Sequence, residues 1–210
     1  ESDLFVNSGT FIPRPETELL VKEAVVFAGE RFGNLPEPYA VDLGAGSGCI
    51  TVSFLKKMPN WHVTSFELLP EAVQSTLTNI RKNGLDSLAV VIHKNYFDSE
   101  WTDTEGRAPQ LILANPPYIS ENDYQTLPAE VQKEPYAALV GGEKGYEIPQ
   151  QILRLSVQRL APNGLVMMEI GAGQSEALRI FAEGIGLKVN RIIKDEQGHD
   201  RIMIFEVQHG

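Results

Sequence analysis

Apolar positions follow two periods along this chain. Short runs rich in Val, Ile, Leu and aromatic residues are separated by stretches whose apolar positions recur every three to four residues. The first such stretch begins at Pro15, which suits a first helical turn, with Glu16 and Glu18 favouring the positive end of the helix dipole. Leu20, Ala24, Phe27 and Ala28 follow at helical spacing, and Gly33-Asn34 and Pro36 end the helix. The pattern then predicts strands over 39–43, 62–68, 88–93, 111–114 and 165–170. Helices are expected over 48–58, 70–82, 148–160 and 175–184, the second of them stopped by Asn83-Gly84. Residues 98–109 read as loop, and 121–146 as loop with short helical pieces. Two last strand patterns, 187–194 and 201–207, are joined by a turn-rich link over 195–200. That link is too short for a helical crossover, so these strands must be antiparallel neighbours. The alternation predicts an α/β fold with a mostly parallel sheet that finishes in an antiparallel hairpin, unlike the plain dinucleotide-binding fold.

Composition narrows the class. With 210 residues, 42% hydrophobic and 22% charged, the chain fits one globular domain and not a disordered, collagen-like or coiled-coil protein. No apolar run approaches the ~20 residues of a membrane span, and no signal peptide is visible. The single cysteine, Cys49, rules out an internal disulfide framework and a Cys-rich zinc site. His62, His93, His199 and His209 show no ligand spacing, so no metal is expected. A reducing cytoplasm fits all of this. The net charge of −10 is the more telling number, because proteins that grip phosphate backbones usually carry excess positive charge.

Two motifs carry chemistry. Asp42-Leu43-Gly44-Ala45-Gly46-Ser47-Gly48 is a strand running into a glycine turn and a helix. Its Gly-x-Gly-x-Gly spacing is not the Gly-x-Gly-x-x-Gly of a pyrophosphate cradle, which disfavours a nicotinamide oxidoreductase. The Asp42 carboxylate would repel a diphosphate and welcome an ammonium group, which points to S-adenosylmethionine. Glu67, nineteen residues after Gly48, ends the second strand, where an acid can accept from both ribose hydroxyls. Asn95, after the third strand, is a candidate for the adenine edge.

Asn115-Pro116-Pro117-Tyr118, at the carboxyl end of the fourth strand, is the more specific signal. It suits methylation of a planar, weakly nucleophilic NH2 group. The nitrogen lone pair is delocalised, and two acceptors on its N–H bonds favour the pyramidal geometry needed for attack. The Asn115 carboxamide oxygen and the Pro116 carbonyl are those acceptors, the prolines stiffen the loop, and Tyr118 is placed to stack on the substrate. An amide and an aromatic amine are electronically alike here, so this motif alone leaves both open.

With these residues on the page, the chain resembles the release-factor glutamine methyltransferases, the protein N5-glutamine methyltransferase family. The likeness runs from about Leu4 to Glu206. It includes Phe11-Ile12-Pro13-Arg14-Pro15-Glu16-Thr17-Glu18, the glycine turn, Asn-Pro-Pro-Tyr, Glu134-Pro135 with Ala138-Leu139, Glu169-Ile170-Gly171 and Asp200-Arg201. The tetrapeptide alone is shared with adenine-N6 methyltransferases; the combination is far more specific.

The resemblance implies a seven-stranded, mostly parallel sheet of the S-adenosylmethionine-dependent, Rossmann-like type with an antiparallel last strand. It implies methylation of the glutamine in the Gly-Gly-Gln loop of class 1 peptide chain release factors, leaving S-adenosylhomocysteine. By motif, Asn115 and Pro116 would hold the glutamine amide, and Pro117, Tyr118 and Pro15 would line its pocket. Asp42, Gly44, Ala45, Gly46, Glu67 and Asn95 would hold the cofactor, with Asn115, Arg14 and Thr17 near its methionine side. Glu67 stands where Asp is more usual, and Asn95 where the family tends to have an acid. Residues 1–14 are expected to be a hairpin or linker before a catalytic domain that fills the chain. The family's N-terminal helical docking domain is expected to be absent, and the protein to be a monomer.

Two other readings stand beside this one: an adenine-N6 methyltransferase acting on nucleic acid, and a non-catalytic S-adenosylmethionine-binding protein. The charge of −10, with no basic run longer than two residues, disfavours the first. The intact tetrapeptide disfavours the second. Trp61 and Trp101 are expected to pack, Cys49 to be a small packed residue, and Asp200-Arg201 to form an ion pair at the last turn. Glu134 reads equally as a loop anchor or part of the substrate mouth.

Overall fold

Strand alternation sorts the side chains onto two faces of one sheet. Ala40, Leu111, Leu113, Leu165, Met167, Ile202 and Ile204 face one apolar cluster, and Tyr39, Val41, Leu43, Ile112, Ala114, Val166, Met168, Met203 and Phe205 face the other. A sheet buried on both sides needs helices on both sides. A computed structural model, which describes residues 4–7, 10 and 14–208, shows how the chain supplies them.

Helix α1 (Pro15–Phe32) carries Leu20, Ala24, Phe27 and Ala28 on its buried stripe and starts on the expected proline. It is followed by β1 (Tyr39–Leu43), α2 (Cys49–Lys57), β2 (His62–Glu67), α3 (Pro70–Lys82), β3 (Ala89–His93) and β4 (Leu111–Ala114). Helices α1, α2 and α3 cover the first face, where Phe32, Phe54 and Trp61 meet edge to face. After β4 come β5 (Ile119–Ser120), α4 (Glu121–Tyr124), α5 (Tyr136–Leu139) and β6 (Val140–Gly142). Then α6 (Glu147–Arg159), β7 (Leu165–Glu169), α7 (Ser175–Gly184), β8 (Leu187–Lys194) and β9 (Asp200–Val207) complete the chain. Helices α6 and α7 cover the second face together with Trp101.

The sheet has seven strands in the order β3-β2-β1-β4-β7-β9-β8. The pairs among the first five positions are parallel, and β9 runs antiparallel to both β7 and β8. The expected fold class and final hairpin are observed. Alternation did not reveal that β9 inserts between β7 and β8, leaving β8 as the exposed edge. The stretch over 121–146 was expected to be loop with short helical pieces; it supplies α4 and α5, and also β6, which pairs in parallel with β5. Two or three residues, two of them Gly141 and Gly142, are too few to show a strand period. Trp61 and Trp101 are both fully buried, as expected of packing residues.

The strand order fixes where a ligand can sit. Chain progression runs β1 to β2 to β3 on one side and passes to β4 on the other, so the carboxyl ends of β1 and β4 flank a switch point. Gly44–Gly46 and Asn115 follow strands that end on this edge, and Glu67 is the last residue of another.

Candidate active site

A cavity of about 430 Å3 opens at that edge. The glycine turn forms its floor, with Gly44, Gly46 and Gly48 all at positive φ. A larger residue at Gly48 would be strained at this positive φ, and its Cβ would press on Thr76 of α3. The turn is held from both sides. Gly44 and Ala45 donate their N–H groups to the Phe66 carbonyl, at 2.9 and 3.0 Å. Thr76 Oγ1 donates to the Gly46 carbonyl at 3.0 Å and Asn79 Nδ2 to the Ser47 carbonyl at 2.8 Å.

Glu67 is nearly buried, and backbone N–H groups fix its carboxylate. Oε2 accepts from Gly46 at 2.7 Å, and Oε1 accepts from Leu68 and Leu69 at 2.7 and 2.8 Å. A carboxylate oxygen has two lone pairs, so Oε1 is filled by its two N–H partners and Oε2 keeps one acceptor position. Asn95 also lines the cavity, and its Oδ1 caps the following turn by accepting from Phe97 N–H at 3.0 Å. Tyr96 and Phe97, whose ring centroids lie 4.5 Å apart, supply an apolar wall beside it.

The opposite wall is the Asn115–Tyr118 loop. Asn115 Nδ2 donates to Thr17 Oγ1 at 3.0 Å, and Thr17 Oγ1 donates to Glu169 Oε2 at 3.0 Å. Tyr118 Oη donates to the other Glu169 oxygen at 3.2 Å. The amide orientation follows: its NH2 is spent on Thr17, and Oδ1 remains an acceptor. Glu169 is fully buried, which pushes its carboxyl up to about 7, against the pull of Thr17, Tyr118 and Arg201. Burial also raises the Tyr118 phenol, which therefore stays a donor. Gln174 ties the loop down, donating from Nε2 to the Tyr118 carbonyl at 2.8 Å and accepting from Gly171 N–H at 2.9 Å. Gly141 and Gly145 lie so close to the Pro117 and Tyr118 carbonyls that a Cβ at either would collide with them.

Arg14 and Glu134 form an ion pair at 2.6 Å. Glu134 therefore anchors the segment after β5 to the start of α1, where Arg14 and Thr17 border the cavity. Gly44, Ala45, Gly46, Glu67, Asn95, Arg14, Thr17, Asn115, Pro116, Pro117 and Tyr118 thus meet around one space. Thr17, expected beside the cofactor, makes its bonds to Asn115 and Glu169.

Asp42 requires a correction, because it does not line the cavity. Its carboxyl is fully buried on the α1–α3 side of the sheet, where Thr51 Oγ1 donates to it at 2.7 Å. Strand alternation decides this, since Val41 and Leu43 take the opposite face. Burial pushes the Asp42 carboxyl up to about 7, and from the far side of the sheet it does not reach a ligand in the cavity. The Phe11-Ile12-Pro13 segment and the Pro15 ring lie outside the described residues. Cys49 is half-buried in the cavity wall with its thiol pushed up to about 12 by burial, as befits an inert residue. Arg201 pairs with Asp195 at 3.0 Å, and Asp200 with Lys194 at 2.7 Å, so at the turn of the final hairpin each of these residues has another partner in place of the expected pair between 200 and 201.

The sequence reading did not place Glu169, Gln174, Gly141 or Gly145 in the site. Glu169 carried one usable signal, an acid at the end of an otherwise apolar strand.

Comparison with known proteins agrees with this geometry. The methyltransferase small domain family matches residues 30–133. A release factor glutamine methyltransferase of Aquifex aeolicus is 35% identical over 95% of this chain and 68% of its own length. One from Rhodopirellula baltica is 35% identical over 94% of this chain and 67% of its own length. The chain belongs to the release factor glutamine methyltransferase family. Among solved structures, the hMettl16 catalytic domain in complex with an RNA hairpin superimposes with a TM-score of 0.74 at 16% identity, over 99% of this chain and 76% of that one. A methyltransferase from Pyrococcus furiosus gives 0.66 at 18%, over 97% of this chain and 87% of that one. At such identities these likenesses show the S-adenosylmethionine-dependent methyltransferase fold alone.

The family's methyl donor is S-adenosylmethionine, and the cavity fits it. Its volume falls in the range of small-molecule sites, roughly 300–1,000 Å3. A glycine floor lets a ligand lie against the backbone, an anchored acid offers an acceptor, and two aromatic rings supply an apolar wall. No helix of the described residues is long and apolar enough to cross a membrane, and no group of three or more metal-ligating side chains is present among them.

Proposed function

We propose that this protein transfers the methyl group of S-adenosylmethionine to the side-chain amide nitrogen of a glutamine, in the Gly-Gly-Gln loop of a class 1 peptide chain release factor. The observation that carries the reading is the Asn115–Thr17 hydrogen bond. It commits the Asn115 NH2 and leaves Oδ1 as the group available to a substrate N–H, at the mouth of a cavity with a cofactor-sized interior.

The bound cofactor supplies an electrophilic methyl on a sulfonium sulfur. The protein's task is to make a poor nucleophile attack it. Asn115 Oδ1 and the Pro116 carbonyl would each accept one N–H of the glutamine amide. That withdraws the lone pair from resonance and stabilises the positive character that nitrogen gains only in the transition state. Among the described residues, no hydrogen bond is made to the Pro116 carbonyl. Neither acceptor needs to be a strong base. Pro117 and Tyr118 would confine the planar amide, and the Gly141 and Gly145 contacts keep the loop pre-aimed. Glu67 would accept from a ribose hydroxyl through Oε2, Gly44 to Gly46 would pass beneath the cofactor, and Asn95 would face its base.

A net charge of −10 supports a protein substrate over a nucleic acid, since a basic protein surface is steered toward an acidic enzyme. The test is to supply labelled S-adenosylmethionine with a release factor, its Gln→Ala variant in the Gly-Gly-Gln loop, or duplex DNA. Label in the unmodified release factor alone is expected. Label in DNA, or equal label in the Gln→Ala variant, would overturn the reading.

A further inference from the structure

We propose that Glu169 is a positioning residue that acts through Thr17 to keep the Asn115 carboxamide turned with Oδ1 toward the methyl-accepting group. The inference rests on the proposed role of Asn115. It adds a residue that does not line the cavity and that touches neither cofactor nor substrate.

The argument is one of hydrogen-bond direction. An ionised carboxylate has only acceptors, so both hydroxyls that reach Glu169 must donate to it. Thr17 has one hydroxyl proton, and it goes to Glu169 Oε2 at 3.0 Å. The Thr17 oxygen can then meet Asn115 only as an acceptor, which it does at 3.0 Å from Nδ2. Asn115 must therefore present NH2 inward and Oδ1 outward. Tyr118 holds the second carboxylate oxygen in the same way, so the acid is gripped from both sides.

Protonation of Glu169 removes this order. The carboxylic acid can donate to Thr17, and the Thr17 proton is then released to face Asn115. A flipped Asn115 satisfies that arrangement equally well, and it presents N–H groups to the N–H groups of the substrate. Four groups bear on the titration: Thr17 and Glu16 on α1, Tyr118 after β4 and Arg201 on β9; the Cys49 thiol on α2 is itself raised to about 12 and stays neutral there. Burial is the largest influence and raises Glu169, Arg201 lowers it, and Glu16 raises it. Methyl transfer is therefore switched off as pH falls through the neutral range, although the substrate amide itself does not titrate there.

The test measures kcat for release-factor methylation from pH 6 to 8.5, with cofactor affinity measured in parallel. Wild type should rise roughly tenfold between pH 6 and 8, as the ionised fraction of one group with a pKa of about 7 does over that range. Glu169→Gln, whose amide imposes no donor order, should lose at least ~tenfold in kcat at pH 8 and show a flat profile, with cofactor affinity within ~threefold of wild type. Thr17→Val should lose kcat to a similar degree, and Thr17→Ser should recover most of what valine loses. If Glu169→Gln does not fold, the wild-type profile and the valine–serine pair still decide. A flat wild-type profile, a Glu169→Gln protein that keeps the wild-type rate or slope, or a Thr17→Val protein as fast as wild type would each overturn the inference. A wild type that leaves the release factor unmethylated at every pH would instead sink the proposed function.

Discussion

The two walls of the cavity are built in opposite ways. The cofactor wall is a backbone turn held by side chains nearby in sequence: the Gly46 N–H meets Glu67 across 21 residues, and Thr76 and Asn79 reach the glycine turn from 30 and 32 residues away. The wall around Asn115 is non-local and made of side chains. Asn115 meets Thr17 across 98 residues, Thr17 meets Glu169 across 152, and Arg14 meets Glu134 across 120. The first wall serves a cofactor whose shape is always the same. The second must aim an oxygen, and aim is set by partners gathered from α1, β4 and β7. The contrast teaches that binding and turnover should fail separately.

The largest separation is expected at Asn115. Asn115→Ala should lower kcat by about 10²–10³, the usual penalty for losing one transition-state hydrogen bond, while calorimetric cofactor affinity stays near wild type. Glu67→Ala should do the reverse. Removing a charged acceptor is worth ~1.5–3 kcal/mol, or roughly 10- to 150-fold in Kd. Unchanged affinity in that variant would remove Glu67 from the cofactor site and with it the contrast between the walls.

A smaller effect concerns what lies beneath the cofactor wall. Burial raises the Asp42 carboxyl from the ordinary 3.8 to about 7. Its folded value exceeds its unfolded one, so in the window from about pH 4 to 7 the folded chain binds the proton that the unfolded chain releases. Stability from this group is thus full below about pH 4 and lost as pH rises to about 7. Thermal melts should show Asp42→Asn gaining on wild type across that window. A constant difference from pH 4 to 7 would show that Asp42 does not titrate there. The smallest effect is expected at the rim. Arg14→Gln breaks an ion pair whose arginine is more than a third exposed, so a change under ~1 kcal/mol, less than about fivefold in KM for the release factor, should be measured.

The same contrast explains what could be read in the chain. Seven strands and the long helices followed from alternation and helical spacing, and the glycine turn and Asn-Pro-Pro-Tyr were legible as contiguous words. Glu67 was found because its distance from the turn is set by one α2–β2 unit. Asp42 was misjudged because its position beside the glycines suggested the cavity, while its parity along β1 sends it to the opposite side. Glu169 was quoted only as part of a resemblance. Its function depends on β7 lying beside β4 and on α1 returning Thr17 to that edge, and no local pattern encodes either. The β5–β6 ribbon was missed because its specificity lies in two glycines that fit against the Asn115–Tyr118 loop, not in an apolar period.

The measurement that tests the division most directly is a single-turnover methyl-transfer rate at saturating cofactor, with wild type, Glu67→Ala and Asn115→Ala side by side. Once its weaker binding is overcome by concentration, Glu67→Ala should approach the wild-type rate. Asn115→Ala should remain about 10²–10³ slower at any cofactor concentration. A Glu67→Ala protein that stays as slow as Asn115→Ala, or an Asn115→Ala protein that recovers on adding cofactor, would contradict the account.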